Sequence, residues 1–183
     1  GLPLLVEFLS GRDPDAPLGR DLVPQVSDLG PELFPAALRL ALAGVPVAPD
    51  STSDALVARQ VAARRADGTI VVRHALVAEA IVAAADPAET VTAHRHLAEV
   101  TTDQAAAAQH WRAAGDPERA TQAALTAAEG AHAPADRARL LALAGRCATG
   151  QHRGGRLLRA ATALSEAGLH VEALRALDDV DEG

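Results

Sequence analysis

The sequence predicts a mainly α-helical protein: a small helical domain with a short β-wing, followed by antiparallel helical hairpins. Three observations lead there. Hydrophobic residues make up 49% of the chain but aromatics only 2%, and much of the apolar fraction is alanine, which favours helices packed closely through small side chains. A single β-branched run, Thr69 to Val72, reads as a convincing strand. Finally, the turns AAGDPERA (113 to 120) and ATGQHRGG (148 to 155) set Gly115 and Gly150 35 residues apart, close to the tetratricopeptide period of about 34.

With 183 residues the chain can bury a real core as one domain or two small ones. Residues 1 to 11, GLPLLVEFLSG, carry Leu and Val at helical spacing and predict a short helix; residues 12 to 31, with Pro14, Pro17, Pro24 and Pro31, have linker chemistry. From Pro31 to Ala43 the apolar spacing is helical again, and Gly44, Pro46 and Pro49 end it. Ser51 and Asp54 fit a capping box, so a helix is expected from about Thr52 to Ala66. Asp67-Gly68 then turns the chain into the strand, and a further helix follows from about His74. This helix, turn, helix, strand order is the pattern of a winged-helix domain.

Only helices follow. Asp86-Pro87 and Asp116-Pro117 each place a capping acid before a proline at a first helical position, where a missing N–H costs nothing. Thr101 and Gln104 suggest another capping box. Ala108 and Trp111 stand where a tetratricopeptide motif has its close-packing small residue and its aromatic, and Ala120, Ala124 and Ala127 let paired helices approach. The second unit fits less well, with Arg146 opposite Trp111. LHVEALRALDDV resembles the opening helix of a further pair. The expected division is therefore residues 1–30 as the end of a helical subdomain and a linker, 31–100 as the winged helix, and 101–183 as incomplete tetratricopeptide-like repeats.

Composition narrows the function. All 17 basic residues are arginine, and the net charge of −7 argues against general affinity for nucleic acid or membranes. The single Cys147 has no internal disulfide partner, no apolar stretch reaches the roughly 18 residues of a membrane span, and no leader opens the chain, so a cytoplasmic setting is expected. Gly1 in place of an initiator methionine suggests a piece of a longer protein. No GxxxxGK[ST] loop is present, and without lysine the charge carrier of such a loop is missing, so the piece is not expected to be an enzyme. His94 and His96, two apart on a helix, diverge and make a poor chelate; no metal site is expected there. His110 and His152 read as packing and solvent residues, and Cys147 as a small buried side chain. Arg59, Arg64 and Arg65 fall on the second helix of the winged-helix pattern, where they either read DNA or simply offset a helix dipole beside Asp54 and Asp67.

The Arg73-His74 pair at the strand-to-helix junction has two readings. Either it caps and solvates the joint, or the unpaired first amides of the helix hold an anion there. The field of those amides disfavours imidazolium, making His74 a neutral donor suited to one oxygen.

The string VVRHALVAEAIV (71 to 82) resembles a phrase such as FRHALVREAVY at the end of the winged helix in STAND-class P-loop ATPases, above all the large ATP-binding LuxR-family transcriptional regulators of actinobacteria. AHRHLAEV (93 to 100) is similar to that family's HRRLAE segment, AAQHWRAAGDPERA (107 to 120) to its LAHHWLAAGDPERA, and Gly1-Leu2-Pro3 to its GxP motif. The resemblance covers residues 1 to 10 and about 31 to 130. It implies that Pro3 packs near a bound ATP or ADP and that His74, with Arg73 beside it, reaches the phosphates. Related immune ATPases have Met-His-Asp where this chain has Arg73-His74-Ala75. The implied mechanism is a switch in signal transduction: a parent ATPase core binds nucleotide, the winged helix clamps it, and the repeats receive a small-molecule or protein inducer. Promoter DNA is then bound by a separate C-terminal domain, and no cofactor is held by the piece itself. The rivals are a stand-alone helical-repeat interaction module and a winged-helix DNA-binding domain with a helical tail.

Overall fold

The computed structural model describes Val26 and residues 28–181. The expected helix over residues 1 to 11, the linker up to residue 25, and Pro3 lie outside the described residues. Among the described residues the chain forms nine helices and one two-stranded antiparallel sheet, and no helix is long and apolar enough to cross a membrane. It divides into two compact units, Gly1–Asp86 and Pro87–Gly183. The division falls at Asp86, ahead of the boundary after residue 100 expected from the sequence, because the helix Pro87–Val100 packs on the helix Gln104–Ala113.

In the first unit, α1 (Gly30–Ala43) stops at Gly44, which takes the left-handed φ of 64° that ends helices without a Cβ penalty. The next helix, α2, spans only Ser53–Ala58. Its start is fixed by Asp50, one residue before the expected cap. The Asp50 carboxylate accepts from the Thr52 amide (3.0 Å), the Thr52 hydroxyl (2.7 Å) and the Ser53 hydroxyl (2.9 Å), while the Asp50 amide donates to Ser53 Oγ (2.8 Å). Asp54 is thereby released to pair with Arg64 at 2.7 Å.

The helix expected to run on to Ala66 is corrected here. Gln60 adopts a φ of 61°, and residues Ala62–Arg64 form β1, which pairs with β2 (Ile70–Val72) in the register Ala62↔Val72, Ala63↔Val71, Arg64↔Ile70. The reason lies in the Asp67-Gly68 turn. Gly68 sits at φ 84°, and the Asp67 carboxylate accepts from both the amide and the hydroxyl of Thr69 (3.0 and 2.6 Å), so the turn closes a hairpin that needs a strand on each side. Pairing thus overrides the helix preference of Ala62 and Ala63. On its other edge Ile70 exchanges both backbone hydrogen bonds with Val47 at 2.9 Å. Among the described residues of this unit, Ile70, Leu38 of α1 and Ile81 of α3 (Ala75–Ala84) are the largest side chains sealed inside, where α1 packs on α2, β2 and α3.

The second unit is a run of six helices: α4 (Pro87–Val100), α5 (Gln104–Ala113), α6 (Pro117–Gly130), α7 (Pro134–Cys147), α8 (His152–Glu166) and α9 (His170–Asp181). Short turns fold each one back on its predecessor. As expected, Asp116 caps α6, accepting from the Arg119 amide at 3.0 Å. The box expected at Thr101 and Gln104 is replaced by Asp103, which accepts from the amides of Ala105 and Ala106. A carboxylate directly before the first helical residue reaches those amides better than a hydroxyl further back.

The cores of this unit are mostly alanine. One gathers Ala98, Ala107, Ala108, Trp111, Ala124 and Cys147 among others; a second gathers Ala138, Ala142, Ala160, Leu164 and Ala176. Gly145 of α7 lies close against α8: a Cβ there would lie 2.8 Å from a methyl carbon of Leu157 and 3.1 Å from its backbone nitrogen. The ion pairs Arg139–Glu172 (2.9 Å, separated by 33 residues) and Arg146–Asp179 (3.9 Å, at the same separation) tie α7 to α9 in register. The two helices therefore run in the same direction, with α8 returning between them.

Candidate functional site

The sequence-predicted site residues fall at the end of the hairpin. Arg73 follows β2, and its amide donates to the carbonyl of Val61 at 3.0 Å, which anchors the strand exit. His74 is the N-terminal cap residue of α3, extended at φ −147° and ψ 146°, and its carbonyl accepts from Val77 and Ala78. Its side chain caps nothing. The first turn of α3 holds no acid, both Arg73 and His74 are exposed, and neither side chain has an ion-pair partner among the described residues. The joint thus offers one imidazole, one guanidinium and the free amides of a ten-residue helix, an arrangement suited to an anion.

The arginines considered for DNA reading are dispersed. Arg59 is the C-terminal cap of α2, Arg64 lies in β1 bound to Asp54 and to the carbonyl of Gly68, and Arg65 stands in the hairpin turn. No helix carries the three together, which corrects their expected place on one helix.

Sequence reading missed a histidine pair. His94 on α4 and His110 on α5 bring their Nδ1 atoms to 3.0 Å, with ring centroids 5.2 Å apart and planes tilted by 36°. One of the two must donate and the other accept, so the contact holds a single shared proton. Burial pushes both imidazoles below their ordinary value, and for His94 the charge of His110 adds to the effect. The available signal was the helical phase that turns His94 inward and leaves His96 exposed. Among the described residues no three His, Cys, Asp or Glu side chains gather as a metal would require.

Nearby, Arg119 stacks 4.6 Å over the Trp111 ring, the one tryptophan of the chain. Cys147 is buried as expected; burial raises its thiol, while Arg112 and Arg146 pull it back. No family model matches the chain, and no curated protein or solved structure is found to match it.

Proposed function

We propose that this chain is the regulatory portion of a STAND-type, LuxR-family transcriptional regulator, in which a winged helix takes part in a nucleotide-dependent switch and tetratricopeptide-like repeats sense an inducer. The observation that carries this reading is the exposed His74, uncommitted at the uncapped start of α3 with Arg73 beside it. In such a switch the parent ATPase core binds ATP or ADP, Pro3 packs near the nucleotide, and His74 donates to its phosphates. Support for the repeats comes from the 33-residue separation of the α7–α9 ion pair and the parallel course of those helices. DNA is bound through a separate C-terminal domain, and the protein works in the cytoplasm.

The test is His74→Ala in the intact parent protein. The expected result is ADP retention weakened by about tenfold, the worth of one hydrogen bond to a charged group, together with raised basal transcription. Unchanged nucleotide affinity and unchanged output would overturn the reading.

A second reading, a stand-alone helical-repeat interaction module, is favoured by a specific feature of α9. Val171, Leu174 and Leu177 lie on one face and are 65%, 63% and 40% exposed, an apolar stripe suited to a protein partner. A winged-helix DNA-binding domain is disfavoured, because α2 is only six residues long and Arg64 and Arg65 lie beyond it.

A further inference from the structure

Between the α5–α6 turn and the α7–α8 turn lies a cleft of about 510 Å³. Its floor is apolar, with Pro117, Cys147 and Ala148, and three arginines line it: Arg112 at the end of α5, Arg146 at the end of α7, and Arg153 in the first turn of α8. Arg112 and Arg153 have no carboxylate partner among the described residues, whereas Arg146 pairs with Asp179 at a loose 3.9 Å and also acts on the charge of Glu172. Three arginines therefore line one cleft in a protein whose net charge is −7, two of them without a carboxylate partner among the described residues.

The same cleft is lined by the start of α8. This fifteen-residue helix has no acid in its first turn and no side-chain cap, and Thr149 and Gly150 border the cleft just before it. The Arg153 amide already donates to the Gly150 carbonyl at 3.1 Å, and the remaining first amides carry the partial positive charge of a helix start. Guanidinium forks match the tetrahedral face of a phosphate and hold it through paired hydrogen bonds. Two arginines without a carboxylate partner among the described residues call for a dianion. The apolar floor leaves room for an organic body of the size usual for small-molecule sites.

We propose that this cleft binds a small organic phosphate monoester, its phosphoryl oxygens held by Arg112, Arg153 and the first turn of α8, and its organic body resting on Pro117 and Cys147. The assignment rests on the geometry of the second unit alone and does not depend on the switch proposed for His74. Arg146 closes the rim, shared between the ligand and Asp179.

Phenyl phosphate titrated into the 183-residue chain by calorimetry, in a phosphate-free buffer, tests it. The expected result is saturable one-site binding that weakens about tenfold in Arg112→Gln and again in Arg153→Gln, each removal costing a charge-assisted hydrogen bond. Arg159→Gln, an exposed arginine bonded only to the Gly155 carbonyl, should leave the affinity unchanged. Three further arms need no variant. Benzoate, with the same ring and one charge, should bind at least about tenfold more weakly, and inorganic phosphate likewise for want of a body. Affinity for phenyl phosphate should rise through about pH 6 as its second proton leaves. Equal affinity for benzoate or for inorganic phosphate, a flat pH profile, or full binding by both cleft variants would overturn the proposal.

Discussion

At the scale of single residues, the shared proton between His94 and His110 has a definite consequence for stability. Both imidazoles are held below their ordinary value by burial, so the folded chain binds fewer protons than the unfolded chain in weakly acidic solution. Stability contributed by the neutral pair is thus fully present above the unfolded imidazole value of about 6.5 and is lost as pH falls from there through the lower folded values. Thermal unfolding followed at pH 7.5 and at pH 5 should show a falling midpoint, and His110→Gln should flatten that slope; an unaltered slope in the variant would assign the acid sensitivity to other groups. This pair was not legible in the sequence, since its members lie on different helices and only the packing of α4 on α5 brings them together. His74 was legible as the start of a helix because the β-branched run ends just before it, and its exposure agrees with its position at a joint.

Among the elements, the hairpin and the α7–α8 contact show where local pattern suffices and where it fails. The limits of α1 and the starts of α3 and α6 could be read from apolar spacing, Gly44 and Asp116-Pro117, all of them local signals. Strand β1 could not, because Ala62 and Ala63 favour helix by themselves and only pairing with β2 makes them extended. Gly145 is a similar case. A lone glycine inside LLALAGRC weakens a helix by about 1 kcal/mol relative to alanine, and the compensation is visible only in the approach of Leu157. Gly145→Ala gains that propensity but drives a methyl group to 2.8 Å from Leu157, an overpacking cost of about 1–3 kcal/mol. The expected net effect is a loss of up to about 2 kcal/mol in urea unfolding. A stabilised variant would mean that α7 and α8 part without penalty.

Across the molecule as a whole, the two compact units have different cores: Leu38, Ile70 and Ile81 are sealed in the first, whereas alanine dominates the second. In the second unit the helices follow one another, each packed on the next, with alanine filling most of the buried positions. Such an arrangement couples neighbours strongly and distant members weakly. Hydrogen exchange in the 183-residue chain should therefore be graded, with amides of α6 and α7, covered on both sides, exchanging more slowly than those of α9, whose apolar stripe is exposed. Equal protection from α4 to α9 would refute this picture. The layered build also confines damage. A methyl group trimmed from one interface is felt one step up and one step down the row and little further, and a residue inserted in a connecting loop displaces a neighbour instead of dissolving a centre. Sequence drift can accordingly reshape one rung, its cleft included, while the rungs beyond it keep their form.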